Sequence, residues 1–473
     1  MEPTELPVAE VETTRTYQQT RRMPKNIEGE PELNNGAWNT YERVAFRFFF
    51  LYFALQIVPL DWKYYRDLAA LDWSFFHFSN LFYLARYAPR IFGEVPALFD
   101  WLFIALTALV GTVAWGIVDQ KNNQYNNLYY WLRVALRYRL AAALLVYGFI
   151  KFFPMQMPEP SLSNLNTNYG DITHWKVFSL SAGIVPGYES FLGLVEIIAA
   201  LLLLYRKTAS IGAFIIIPFT GNVVMSNLAY EGGEFVYSLL LVSFALFILA
   251  YDVPRLLALT SFEKTTFPPK FKPVFSDSAR NWRVIAKSSF IFVFILLYGS
   301  RTYASYHTDI YQYPATGGLP EARGLYNVTQ FKLNGVDYPY SPNDPVRWRD
   351  VVFEQWATLS VRSNKPVEIE TVTTEEIHTK DHDRVYELSG IGGRHYYSYR
   401  IDSVNHHILL QNRNKNHSGD HFTLEYDRPS KDRIILSGVN STRDSIHVVL
   451  DRIDKKYLLE EAAKSGRRRG LQL

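Results

Sequence analysis

The chain has 473 residues, with 49 Lys and Arg against 46 Asp and Glu, a net charge of +3 that is too balanced to suggest a nucleic-acid partner. Zero cysteines exclude disulfides, thiolate metal sites, iron–sulfur clusters and a thiol nucleophile. The mean hydropathy of −0.08 averages two unlike parts: apolar residues concentrate between Ala45 and Tyr303, while Asp, Arg, Asn and His enrich the remaining third, so a single soluble core of up to about 250 residues is not expected.

Residues 1–38 are polar, rich in Pro, Glu, Asn and Gly, and carry no apolar run, which is the composition of a disordered tail. The first apolar segment begins near Val44, so it is expected to act as an uncleaved signal anchor. Seven segments are long and apolar enough to cross a hydrocarbon core of about 30 Å: 43–60, 97–118, 132–153, 188–205, 208–229, 234–251 and 285–303. Arg133, Arg137 and Arg139 crowd the start of the third, and Glu196 sits inside the fourth. Between the first two, residues 61–94 are too polar to span but rich in Trp, Tyr and Phe, the composition of helices that lie on the outer leaflet or cap a bundle. Lys and Arg favour cytoplasmic loops. They crowd the loops on the side of the N-terminus (Arg206, Lys207, Arg255, Lys264, Lys270, Lys272, Arg280 and Arg283 among them) and are sparse opposite (Lys63, Arg66, Arg86, Arg90, Lys176). The expected topology has the N-terminus cytoplasmic and everything after Tyr303 outside, which in a double-membrane bacterium means a protein of the inner membrane with a periplasmic C-terminal domain.

From about Leu319 apolar residues alternate with polar ones, the period of strands, and Asn334-Gly335, Ser389-Gly390, Gly392-Gly393, Ser418-Gly419 and Ser437-Gly438 punctuate them as turns. YNVTQFKLNG, VVFEQWATLSVRS, PVEIETVTTEE, RVYELSG and the further runs up to SIHVVLDRI read as an antiparallel meander, closed as a small barrel or sandwich. The expected division is a tail over 1–38, a multi-pass helical membrane domain over 39–304, an extracytoplasmic β domain over 305–458 able to fold alone, and a basic tail over 459–473.

Ionisable side chains inside spans cost about 3 kcal/mol or more at the bilayer centre, so each implies a partner or a wet cavity. Lys151, near the outer end of the third span, and Glu196, in the outer half of the fourth, are expected to pair, with Asn222 of the fifth span at similar depth and Gly221 allowing close helix approach. Such a trio either fixes helix packing or lines a pocket. Pro154, Pro158 and Pro160 open an irregular external loop in which Ser161, Asn164, Tyr169, Asp171 and His174 can line a mouth over the pair, and His77 stands alone in the aromatic loop. His378 and His382, like His417 and His421, are four apart; on strands that spacing does not converge on a metal. No nucleotide-binding or serine-hydrolase motif is present, and no cofactor is implied.

The run YGFIKFFPMQMPEPSLSNL, then GLVEIIAALLLLYRK and GNVVMSN, resembles the DoxX-like integral membrane family of bacteria. In that family one helix ends in G-x-x-K and the next carries G-x-x-E before a Leu run closed by basic residues; Gly148, Lys151, Gly193, Glu196, Arg206 and Lys207 fall on the pattern. The resemblance covers residues 40–255 and implies a four-helix membrane core with loose ties to quinone-linked or thiol redox systems. Without cysteine the thiol chemistry is not carried over. Two functions are therefore expected. The first is a non-catalytic or partner-dependent membrane subunit, in contact with membrane lipids, whose external β domain binds a protein partner or caps a membrane pocket. The alternative is an oxidoreductase subunit, or a quinone- or lipid-handling enzyme, using the Lys151–Glu196 pocket with His77 and His174 for proton transfer.

An alkaline phosphatase fused after Leu259 should be inactive and one fused after Asp309 active, with a cytoplasm-only fluorescent reporter giving the reverse. The opposite pattern overturns the topology.

Overall fold

In the computed structural model the described residues are 38–465, apart from 75, 121–123, 267–270, 272 and 274. Residues 1–37 of the disordered tail expected over 1–38, the Arg467–Arg469 end, and Phe75, Lys121, Lys270 and Lys272 lie outside them.

Fourteen α-helices are described. The helical part runs α1 (Thr40–Ile57), α2 (Trp62–Ala70), α3 (Phe78–Ala85), α4 (Leu98–Val118), α5 (Asn126–Phe152), α6 (Leu162–Leu165), α7 (His174–Gly183), α8 (Pro186–Leu204), α9 (Ala209–Ala229), α10 (Phe235–Ala250), α11 (Val253–Thr260), α12 (Asp277–Ile291) and α13 (Tyr298–Thr308). A π-helical turn, Phe292–Leu297, joins the last two into one rod. Each of the seven apolar segments is helical. Five stretches are long and apolar enough to cross a membrane, and the α10–α11 pair, bent by 66°, makes a sixth. α5 falls outside that set because of its charges, yet it is the axis of the bundle, and Leu136 through Val146 on it are almost wholly buried.

Its arginines do not lie in a loop; each is held by a carbonyl or carboxylate of a neighbour. Arg137 Nε donates to Leu203 O at 2.8 Å, Arg133 reaches Asp252 at 3.5 Å, and Arg139 donates to the carbonyls of Ala85 and Tyr87. The last pair explains α3. The carbonyls at and just after its end, unsatisfied within the helix, meet the half-buried Arg139 guanidinium, and Phe78, Leu81 and Phe82 of the aromatic loop pack into the bundle core.

The second part is a closed antiparallel barrel of eight strands: β1 (Gly324–Leu333), β3 (Asp350–Phe353), β4 (Thr358–Arg362), β5 (His395–Asp402), β6 (His407–Asn412), β7 (His421–Ser430), β8 (Arg433–Asn440) and β9 (Ser445–Ile453). The two-residue β2 (Val336–Asp337) hangs on β1 by a hairpin whose Asn334 and Gly335 both take positive φ (51° and 78°), the conformation that Asn-Gly favours. Closure comes from β1 pairing with β9, Leu325 opposite Ile453 and Val328 opposite Leu450. Alternate residues fill the interior, among them Tyr326, Phe331, Phe353, Leu359, Ile408, Leu424, Leu436 and Val448. Helix α14 (Leu458–Ser465) comes after the last strand.

Two expected strands are absent. PVEIETVTTEE and RVYELSG belong to the β4–β5 connection, residues 363–394, whose regular structure is one 3-10 turn at Asp381–Asp383. This segment lies across the end of the helical bundle, and its backbone groups are taken there instead of by a sheet neighbour. Ile377 N–H donates to Tyr83 Oη at 2.8 Å, Glu375 N–H to the Glu234 carboxylate at 3.1 Å, and Arg86 Nη1 to Glu375 O at 2.5 Å. Ile377 itself is buried in the bundle core. In the opposite sense, the 154–173 loop docks on the barrel. Glu354 accepts from the backbone N–H and hydroxyl of Ser163 at 2.7 and 2.6 Å, its carboxyl pushed up to about 8 chiefly by burial. Arg413 and Glu387 form a fully buried pair at 3.0 Å, and Asn164 Nδ2 donates to Glu387 O at 3.0 Å. Lys176 of α7 lies 3.6 Å over the Tyr386 ring and donates to its carbonyl; burial pulls its ammonium down to about 7.

The barrel has its own core, whereas the 363–394 connection is held by the bundle. A fragment of residues 310–458 should therefore give a β-type circular dichroism spectrum while trypsin cuts within 363–394, a segment protected in the full chain. Equal protection in fragment and full chain would contradict this division.

Candidate functional site

α5 and α8 cross at two glycines. A Cβ on Gly193 would collide with the Phe152 backbone nitrogen and the Gly148 carbonyl, and one on Gly148 would lie 3.1 Å from Gly193 O and 3.3 Å from Glu196 Cβ. Three residues beyond each glycine, on the same helix face, stand Lys151 and Glu196. The close crossing brings Lys151 Nζ to 2.5 Å from Glu196 Oε1, with the two side chains only 13% and 5% exposed. The spacing G-x-x-K and G-x-x-E is thus a geometric device in which the glycines set the interaxial distance that the ion pair needs.

α9 approaches α8 at the other end of the bundle, where a Cβ on Gly212 would lie 2.9 Å from Ala199 O. Toward the barrel the two helices diverge. Gly221, expected to permit close approach, has nothing within 4 Å of a Cβ position, so no helix packs against it. The gap is a cavity of about 320 Å3 walled by α5, α8, α9 and α10 and roofed by α7 and residues 373–375 of the β4–β5 connection. Lys151, Glu196 and Asn222 all line it.

The other expected site residues lie elsewhere. His174 lines none of the cavity; its ring is largely exposed and sits 3.8 Å from Glu231 on the surface. His77 caps α3, Nδ1 accepting the Ser79 N–H at 3.3 Å and lying 2.8 Å from its hydroxyl, and burial lowers its pKa. Ser161 caps α6, and Asn164 faces Glu387, so that stretch is a barrel contact and not a mouth. Among the described residues no group of three or more His, Asp or Glu is placed to hold a metal ion.

Several residues at the cavity were not singled out by sequence reading. Glu189, in the first turn of α8, accepts the backbone N–H groups of Gln156 and Met157 at 3.0 and 3.1 Å. Glu234 precedes α10, pairs with Arg86, and accepts the Tyr147 hydroxyl at 3.2 Å. Glu375, in the roof, takes hydrogen bonds from Tyr311, from Gln156 Nε2 at 2.7 Å and from Gln312 Nε2 at 3.2 Å; burial pushes its carboxyl up to about 7. The adjacent acids of TVTTEE were the available signal, since a strand would have turned one of them inward.

Five buried polar atoms on residues that line this cavity have no hydrogen-bond partner among the described residues: Glu189 Oε2, Glu196 Oε2, Gln156 Oε1, Thr220 Oγ1 and Tyr237 Oη. Leaving such groups unmet costs about 1–3 kcal/mol each, so the space is suited to water or a polar occupant.

Over 115 residues the chain is 34% identical to "Uncharacterized protein YwoB" of Bacillus subtilis (strain 168), an alignment spanning 24% of this chain and 71% of that protein. The chain belongs to the YwoB family. Because YwoB is itself uncharacterized, the YwoB family brings no activity with it. No family model matches the chain, and no solved structure matches it.

Lys151→Met and Glu196→Gln should each lower the thermal stability of the purified protein, by about 3 kcal/mol where the partner is stranded. The double substitution should recover part of the loss. Additive effects would show that the pair is not coupled.

Proposed function

We propose that the chain is a DoxX-like integral protein of a bacterial inner membrane, with its N-terminus cytoplasmic and the barrel periplasmic, that holds a small amphipathic molecule in the cavity beside Lys151 and Glu196. The observation that carries this reading is the roofed cavity itself. It joins apolar walls to buried polar groups, the usual make-up of a small-molecule site, and its volume sits at the low end of the ~300–1,000 Å3 of such sites. The five apolar helices and the bent α10–α11 pair support the membrane setting, and the basic loops support the orientation.

In this reading the β domain acts through its β4–β5 connection, as the cap of a membrane pocket, and the rest of the barrel is free to meet a periplasmic protein partner. The protein is then a binding subunit whose chemistry, where there is any, is completed by that partner. A second reading, an oxidoreductase subunit handling a quinone, is favoured by the unpartnered carboxylate oxygens of Glu189 and Glu196, which are placed to exchange protons with a ring hydroxyl. Electrons would have to come from the partner.

Native mass spectrometry of the protein extracted in mild detergent should reveal one retained lipid or quinone, absent from a Ser226→Phe variant that fills the cavity. A wild-type protein that carries nothing under conditions preserving its fold would overturn the proposal.

A further inference from the structure

The polar inventory of the cavity goes further than its existence and, resting on the reading above, identifies the head of its occupant. Lys151 is already committed to Glu196 at 2.5 Å, and Arg86 to Glu234. Two carboxylates, Glu189 and Glu375, remain at the cavity without a cation of their own. Glu375 is satisfied by the three donors Tyr311, Gln156 and Gln312. Glu189 is satisfied only at Oε1.

The orphans left over are of one kind. Glu189 Oε2 and Glu196 Oε2 are carboxylate oxygens on residues 2% and 4% exposed. Gln156 Oε1 is an amide oxygen whose identity is set by its own Nε2, which donates to Glu375. Thr220 Oγ1 and Tyr237 Oη, on residues 4% and 5% exposed, both donate and accept. All five orphans can accept and three of them can do nothing else, so together they call for hydrogen-bond donors. An anionic head could take hydrogen bonds only from the Thr220 and Tyr237 hydroxyls unless it displaced Glu196 from Lys151, and it would sit beside Glu189.

The way in is lateral. Ser181 of α7, Tyr188 of α8 and Asn222 of α9 line the cavity and are exposed, so its rim lies where these three helices part, on the flank of the bundle. Around them α8 and α9 present Phe191, Leu194 and Met225 outward. A chain lying against that apolar flank can place its head inside while the roof stays shut.

We infer that the cavity takes the head of a single-chain amphiphile that donates hydrogen bonds, a hydroxyl or a protonated amine, to Glu189 and Glu196, and that it discriminates against a carboxylate head of the same length.

The test uses the full chain in lipid nanodiscs and four ten-carbon probes: 1-decanol, decylamine, sodium decanoate and decane. Dissociation constants are taken from the rise of the unfolding midpoint with probe concentration. Decanol and decylamine should bind at least about tenfold more tightly than decanoate, the ratio that one charge-assisted hydrogen bond supplies. Glu189→Gln keeps the Oε1 acceptor that holds Gln156 and Met157 and should cut the amine preference by a similar factor. Thr220→Val, nearly equal in shape, should weaken decanol more than decane. Decanoate binding as tightly as decylamine, or a preference unchanged by Glu189→Gln, overturns the inference about the head while leaving the cavity a binding site. If decanol, decylamine and decanoate bind no better than decane, or if no probe shifts the midpoint, the cavity is only water-filled, and this inference falls together with the proposed function.

Discussion

The charges on α5 are the constraint around which the helical part is arranged. A helix of 27 residues, about 40 Å long, carries Arg133, Arg137, Arg139 and Lys151 through the middle of an apolar bundle, and none can be left bare at that depth. Each recruits a different neighbour: Asp252 after α10, Leu203 O near the end of α8, the carbonyls of Ala85 and Tyr87 at the end of α3, and Glu196 at the middle of α8. Three of these partners could have been supplied by other elements only if the bundle were ordered differently. The packing order around α5 is thus written largely in where its cations fall, and hydrophobic burial, which is not directional, fills in around them.

The same demand for partners explains why a barrel connection of 32 residues runs without strands. A segment with Val, Ile and Thr at alternating positions has the propensity for a sheet, but propensity in strands is mostly a statement about neighbours. Here the neighbours are Tyr83, Arg86 and Glu234, which offer a hydroxyl, a guanidinium and a carboxylate to backbone groups of Glu375 and Ile377. Side chains of the bundle stand in for a ladder. The consequence is a buried acid at Glu375, made tolerable by three donors.

How much was legible in the sequence depends on the range of the signals. The seven apolar helices, the barrel strands outside 363–394 and the Asn334-Gly335 turn rest on local periodicity and turn chemistry and are present, except that VVFEQWATLSVRS, read as one strand, folds back on itself as β3 and β4. Lys151 and Glu196 were legible as a pair because a buried charge demands a partner and both lay at one depth. Gly221 was misread because a glycine permits either approach or divergence, and only its surroundings decide which. His174 and His77 drew attention as ionisable groups near aromatics, yet one is on the surface and the other is a helix cap. Glu189, Glu234 and Glu375 come from three distant segments, and their convergence depends on the roof docking on the bundle, which no local pattern records.

That docking also sets how the cavity can be reached. The roof is tied down by Arg86 to Glu375 O, by Glu375 N–H to Glu234, and by the two-way contact of Tyr83 with Ile377. Lifting it would take Glu375 from its three donors and expose Ile377, a cost of several kcal/mol. At the rim the walls are helix flanks ending in Ser181, Tyr188 and Asn222, with α7 and the turn after α9 joined only by the largely exposed His174–Glu231 contact at 3.8 Å. Parting α8 from α9 there breaks only van der Waals contacts. The less costly motion is sideways, so the barrel's contribution is to close the top and leave the flank as the door.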